Sequence, residues 1–305
     1  MMKRSFLEKP CRLKLGDTIG IAAPASSFDT GNLNRGVKII ESMGFRVRIP
    51  DGIQAQEGYL AGSDAHRAAL INHLFADPEI KAIVAARGGY GSLRILPGLD
   101  VDGIRSHPKI CVGFSDITAL LNVLCQHCNL VTFHGPVVTS IGESTRRSAD
   151  AMYSMLTSSV NPEIRVVSPV EVYQGTASGT VLGGNLCTLC HMCGTPYQPD
   201  LEGAILFLED RGEPLYKIDR MITQMKYAGC FDGLRALALG TFDDCGPIEE
   251  VHRLFGRLFR DFRIPILAGF EVGHGGTNLT LALGASATLD TRSARLVYHE
   301  APTVR

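Results

Sequence analysis

The chain has 305 residues, 45% of them apolar and 20% charged, with a formal net charge of −1. That balance excludes a disordered chain, and the lack of a basic excess excludes a charge-driven nucleic-acid or membrane-surface partner. No apolar run approaches the roughly 20 residues needed to span a bilayer.

The opening stretch MMKRSFLEKPCRLKLGD carries positive charge but no apolar core, so it is not read as a secretory signal. Nine cysteines, an odd number scattered along the chain, fit reduced cytoplasmic thiols better than a disulfide framework.

In chain order, residues 18–23 (TIGIAA) read as a buried strand, followed by the loop Pro24-Ala25-Ser26-Ser27. A helix over 33–43 closes at Gly44, and 45–49 is a second strand. Ser63 or Asp64 caps a helix over 65–75. A third strand, 80–85, runs into Arg87-Gly88-Gly89-Tyr90-Gly91-Ser92. Glycines between a strand and a helix let backbone N–H groups approach a ligand. The loop is not a Walker loop, because no Gly-Lys-Ser/Thr follows, and not a dinucleotide fingerprint, because the glycine spacing is wrong.

Residues 109–124, KICVGFSDITALLNVL, read as a buried strand, a tight turn and an apolar helix. Asp116 opens that helix, where an acidic side chain complements the positive N-terminus. Ser115 has two readings. One is a nucleophile elbow, with unpaired helix N–H groups beside the hydroxyl. The other is an ordinary N-cap. A short strand at 130–133 follows, ending at His134-Gly135-Pro136. Strands alternating with helices predict a doubly wound parallel sheet over 1–145, with ligands at the carboxyl ends of its strands.

Residues 146–175 read as a connection containing a helix near 149–156, and 176–305 as a smaller β-rich domain. In the latter, 179–182 is followed by a helix at 186–193, and 204–208 is a strong strand delivering Glu209-Asp210. A helix at 218–225 and short strands at 236–240, 266–269 and 279–283 complete it.

Cys125 and Cys128, and Cys187, Cys190 and Cys193 with His191, have spacings that could hold zinc or a cluster. Both sets lie in apolar helical runs, which reads as packing; no metal and no cofactor is expected. His274 lies in a loop with three glycines, EVGHGGTN, suited to a cleft or simply to solvent. Glu209 could fix its tautomer, or could close a salt bridge to Arg211 or Arg220.

The stretches IGIAAPAS, YLAGSDAHRAALINHLFADPEIKAIVAARGGYGSLRIL, VGFSDITALLNVL, TFHGP, VLGGNLCTLCHMCGTPY, ILFLEDRGEPLYKIDRMITQM and GFEVGHGGTNLTLALG resemble the LD-carboxypeptidase family of serine peptidases nearly end to end. The resemblance implies an amino-terminal α/β domain of the glutamine-amidotransferase type and a β-rich carboxyl-terminal domain. It implies Ser115 as nucleophile, Glu209 as carboxylate and His274 as base, with Gly88 and Asp116 N–H groups as oxyanion hole. It also implies a cytoplasmic, metal-free homodimer that removes the terminal D-alanine from murein tetrapeptides during peptidoglycan recycling. One branch of the family instead hydrolyses a peptide-nucleotide antibiotic and confers immunity, using a tryptophan to stack the nucleotide. This chain has no tryptophan. Arg87, in the glycine loop, is a candidate for the substrate's terminal carboxylate or for a structural carboxylate, and Tyr90 for the wall around the substrate's terminal methyl.

Overall fold

The structure, a computed structural model, describes residues 7–305; residues 1–6, which begin the stretch read as no secretory signal, lie outside it. The first part of the chain alternates strands and helices: β1 (Thr18–Ala22), α1 (Thr30–Ser42), β2 (Arg46–Arg48), α2 (Asp64–Ala76), β3 (Ile80–Ala85), α3 (Ser92–Ile95), α4 (Val101–Ser106), β4 (Ile110–Gly113), α5 (Thr118–His127), β5 (Thr132–His134), α6 (Val138–Ile141) and α7 (Arg146–Thr157). Then come β6 (Glu163–Arg165), β7 (Val170–Tyr173), β8 (Thr176–Asn185), α8 (Leu186–Met192), β9 (Ala204–Arg211), α9 (Leu215–Tyr227), β10 (Ala236–Asp243), α10 (Ile248–Leu258), β11 (Ile266–Ala268), β12 (Leu281–Leu283), β13 (Ser286–Asp290) and β14 (Arg295–Tyr298).

These elements form two compact units. Unit 1 holds the chain up to Ser159 together with Leu279–Ala282 and Pro302–Arg305; unit 2 holds Val160–Asn278 and Leu283–Ala301. The stretch 146–175 is more structured than a connection: α7 lies in unit 1, and β6 and β7 join the sheet of unit 2.

The unit 1 sheet has the order β12-β5-β4-β3-β1-β2. The pairings of β1 with β2 and β3, β3 with β4, and β4 with β5 are all parallel. Every residue of β1 and β4 is buried, as expected for strands covered on both faces by crossover helices. Asp29 caps α1 by accepting from Asn32 N–H at 2.8 Å, and Ser63 caps α2 by accepting from His66 N–H at 3.2 Å. The strand order reverses between β1 and β3. The loops after these two strands therefore flank the crevice where such sheets take ligands. One expectation is corrected: the segment near 279–283 adds β12 to this first sheet.

The unit 2 sheet has the order β6-β14-β13-β8-β9-β10-β11-β7. Its centre, β8 to β11, is parallel, and its flanks are antiparallel. The buried centre reads as continuous apolar sequence (AILFL, ALALG), whereas β13 and β14 bury alternate residues: Ala287, Leu289, Leu296 and Tyr298. Helix α10 turns Val251, Leu254 and Phe255 inward. Phe255 and Phe259 join Phe231 in an aromatic cluster, with 4.9 Å between the Phe231 and Phe259 centroids. Full burial of each such side chain contributes roughly 1.5–3 kcal/mol.

Candidate active site

In unit 1, β4 ends at Gly113, and the chain makes one 3-10 turn over Ser115–Ile117 before α5 begins. Ser115 has φ +61°, a left-handed conformation for a residue with a side chain. Such a conformation costs on the order of 1–3 kcal/mol and persists where the surroundings impose it. It is the backbone of an elbow. The helix gains no side-chain cap here; its N-cap position is Ile117. The N-cap reading of Ser115 is therefore corrected.

The glycine loop after β3 lies against this turn. A Cβ on Gly88 would stand 3.0 Å from Ser115 Cβ and 3.2 Å from its Oγ. A methyl at Gly88 would fit only if Ser115 gave way by a few tenths of an ångström. Ser26, in the loop after β1, holds the glycine loop in place. Its N–H donates to Gly88 O at 3.3 Å, and its Oγ accepts from Tyr90 N–H at 3.1 Å. The Arg87 guanidinium is exposed and donates through Nη1 to Ser27 O at 2.7 Å. Tyr90 is half exposed and packs edge-on against Tyr59, with centroids 5.7 Å apart.

Asp116 lies in the first turn, as expected of an acidic side chain at a helix N-terminus. Its buried carboxylate accepts from Ser92 N–H at 2.8 Å, and Ser92 Oγ donates to Asp116 O. Burial pushes the Asp116 carboxyl above its usual range, against the bonds from Ser92 that hold it down.

In unit 2, β9 delivers Glu209 fully buried at its carboxyl end. His274 Nδ1 lies 2.6 Å from Glu209 Oε2. The other carboxylate oxygen, Oε1, is buried with no hydrogen-bond partner among the described residues. An ionised carboxylate only accepts, so Nδ1 carries the proton and Nε2 is left with its lone pair. Burial pulls the His274 pKa down, but the Glu209 hydrogen bond and charge, with the Asp210 charge, outweigh it and raise it above 6.5. The salt-bridge reading of Glu209 gives way: Arg211 pairs with Asp243 at 3.2 Å, and Arg220 stacks over Tyr216.

The loop carrying His274 is fixed at three points. Gly273 N–H donates to Asn278 Oδ1 at 2.9 Å, Gly275 N–H to Thr241 Oγ1 at 3.3 Å, and Thr241 Oγ1 to Val272 O at 3.2 Å. Gly273 has φ +119°, and a Cβ there would meet Glu209 Oε2 and Thr241 Oγ1, each at 2.6 Å. Asp210, beside Glu209, accepts from Asn185 Nδ2 and Cys187 N–H, both at 2.9 Å. Burial, reinforced by the Glu209 charge, pushes its carboxyl up to about 6.

Thr241, Asn278, Asp210 and Ser92 were not singled out from the sequence. Asn278 closes the glycine loop through a bond to Gly273 five residues back, whereas Asp210 follows Glu209 but bonds to Asn185 and Cys187, 25 and 23 residues away. Cys125, Cys128 and Cys190 are buried, and burial pushes Cys128 up to about 11 and raises Cys190.

Two family profiles match: the LD-carboxypeptidase N-terminal domain over residues 19–135 and the LD-carboxypeptidase C-terminal domain over 178–289. A probable murein peptide carboxypeptidase of Bacillus subtilis is 37% identical, over 93% of this chain and 92% of the relative. The Microcin C7 self-immunity protein MccF of Escherichia coli is 31% identical, over 95% of each chain. An MccF-like protein from Bacillus anthracis superposes with a TM-score of 0.89 at 28% identity, covering 95% of this chain and 99% of that one.

Proposed function

Since the chain belongs to the LD-carboxypeptidase family, a family of hydrolases, we propose that it is a serine carboxypeptidase that releases the terminal D-alanine of murein tetrapeptides. The observation that carries the proposal is the 2.6 Å bond between His274 Nδ1 and Glu209 Oε2. It gives the imidazole a fixed tautomer and a basic Nε2, as a general base requires.

In this mechanism, where the joint action of Ser115 and His274 rests on the family resemblance, the Ser115 Oγ attacks the carbonyl of the L,D peptide bond while His274 Nε2 takes its proton. Glu209 stabilises the resulting imidazolium. The oxyanion of the tetrahedral intermediate lies between the N–H groups of Gly88 and Asp116. The intermediate collapses, the C–N bond breaks, and His274 returns the proton to the amine of departing D-alanine. Water then attacks the acyl-enzyme by the same route, restoring Ser115 and freeing the shortened peptide. The left-handed backbone at Ser115 and the close approach of Gly88 support these roles. Arg87 holds the substrate's terminal carboxylate, and Tyr90 walls the terminal methyl. The reaction is set in the cytoplasm, on recycled peptides, with the enzyme as a homodimer; these three points rest on the family resemblance.

Paired tetrapeptides that differ only in the last stereocentre test the proposal. Inverting that centre while the carboxylate and scissile carbonyl stay fixed drives the methyl into the wall. A misplacement of about 1 Å costs on the order of 100-fold. Chromatographic release of D-alanine should exceed that of L-alanine by about that factor. Equal kcat/KM for the two would refute D-specificity. Turnover of a peptidyl nucleotide with the tetrapeptide untouched would favour the immunity reading that the E. coli relative's name carries.

A further inference from the structure

Arg67 lies on α2, 48 residues before Ser115 in the sequence, and its side chain is fully buried. Its Nε donates to Gly62 O at 3.2 Å. Its Nη1 donates both to Pro24 O and, at 2.9 Å, to Gly91 O. Its Nη2 pairs with the Asp64 carboxylate. One planar cation thus ties three loops together: the one after β1, the turn before α2 and the glycine loop after β3. Taking a charge out of water costs several kcal/mol, and a buried ion pair is weak evidence for stability. The group therefore calls for another account.

The Gly91–Ser92 peptide supplies it. Arg67 holds the carbonyl of that peptide unit, and Asp116 Oδ2 holds its N–H. Ser92 Oγ donates in turn to Asp116 O. Asp116 adjoins Ser115, and the other end of the same loop brings Gly88 against the Ser115 side chain.

We propose that Arg67 is a positioning residue: acting through the Gly91–Ser92 peptide and Asp116, it sets the Gly88 and Asp116 N–H groups relative to Ser115 Oγ. The proposal rests on the serine mechanism above. A lysine cannot replace it, because a compact ammonium lacks the rigid fork that spans three carbonyls and a carboxylate.

The test uses the full chain as wild type, Arg67→Lys and Ser92→Ala. Four quantities are read: kcat and KM for D-alanine release, Ki for a peptide boronate whose tetrahedral oxygen mimics the oxyanion, and the melting temperature. Oxyanion donors displaced by part of an ångström should lower kcat by about 10–100-fold. KM should stay within about twofold, since the ground-state carbonyl leans little on those donors. The boronate Ki should rise by the factor by which kcat/KM falls. A merely structural Arg67 would lower the melting temperature and leave kcat and Ki per folded molecule unchanged, which would overturn the proposal. Should Arg67→Lys not fold, Arg67→Gln takes its place in the same four readouts, because its amide can donate to a loop carbonyl without a buried charge. A wild type that neither turns over tetrapeptide nor labels Ser115 with a fluorophosphonate overturns the serine mechanism and this proposal together. A reactive wild type matched by both variants overturns this proposal alone.

Discussion

Gly273→Ala tests whether the loop carrying His274 must keep its present path. The new Cβ would stand 2.6 Å from Glu209 Oε2, 2.6 Å from Thr241 Oγ1 and 2.8 Å from Glu209 Cβ. Ordinary contact begins near ~3.4 Å, so one side must yield by about 0.8 Å. Neither oxygen can retreat cheaply. Glu209 Oε2 is held by His274 at 2.6 Å, and Thr241 Oγ1 by Gly275 N–H and Val272 O. The backbone adds its own cost, since φ +119° strains an L-residue by on the order of 1–3 kcal/mol. Overpacking adds about 1–3 kcal/mol more. The loop should shift instead, and a base displaced by nearly an ångström should lose about 100-fold in kcat/KM. Thermal denaturation and D-alanine release read the two effects. Gly276→Ala in the same loop is the control, because nothing lies within 4 Å of its Cβ. If Gly273→Ala melts and turns over like Gly276→Ala, the reasoning about this loop is wrong.

Other expectations follow from the same geometry. Gly88→Ala pushes a methyl to 3.0 Å from Ser115 Cβ, and should cut kcat by about 10–100-fold with little change in melting temperature. The activity of the wild type should fall as pH drops through the His274 pKa, which lies above 6.5, because only neutral imidazole accepts the serine proton. Glu209→Gln removes the charge that raises that pKa and leaves the burial that lowers it. The acid limb of a kcat/KM profile should then move to lower pH while the plateau falls; an unmoved limb would contradict the assignment. A maleimide at neutral pH should label exposed Cys11 first and leave turnover intact, since burial holds Cys111 up to about 12. Peptide mapping of the labelled protein checks this. Activity lost with Cys11 labelling alone would count against it.

The sequence made the central parallel strands legible, because strands buried on both faces read as unbroken apolar runs. It left β13 and β14 unseen, since only every second residue there is buried and the strands are four or five residues long. Helix α10 was missed for a related reason: its apolar face is interleaved with Glu249, Glu250, Arg253 and Arg257, so no run stands out. Ser115, Glu209 and His274 each sit at the end of a strand or in a glycine loop, where local pattern marks them. The residues that hold them do not. Arg67 reads as one more charge on a helix, and nothing local says that its partners lie at Pro24 and Gly91. Asp116 was legible as an acidic residue opening a helix, but its partner Ser92, 24 positions away, was not.

The strand β12 has a consequence for how the protein is made. Unit 1 draws on residues 279–282 and 302–305 as well as on the chain up to Ser159. Arg12 N–H bonds to Val304 O at 2.8 Å, and Val304 N–H to Pro10 O at 3.0 Å. A nascent chain leaves the ribosome amino end first, and a segment that has all its partners can fold at once. Here the sheet that bears Ser115 lacks its edge strand until translation has passed Leu283. Until then β5 presents an open edge to any passing strand. Cutting at Ser159 would therefore yield no self-sufficient hydrolase half, and swapping unit 2 for another would mean grafting two segments, with all four of their ends rejoined to unit 1.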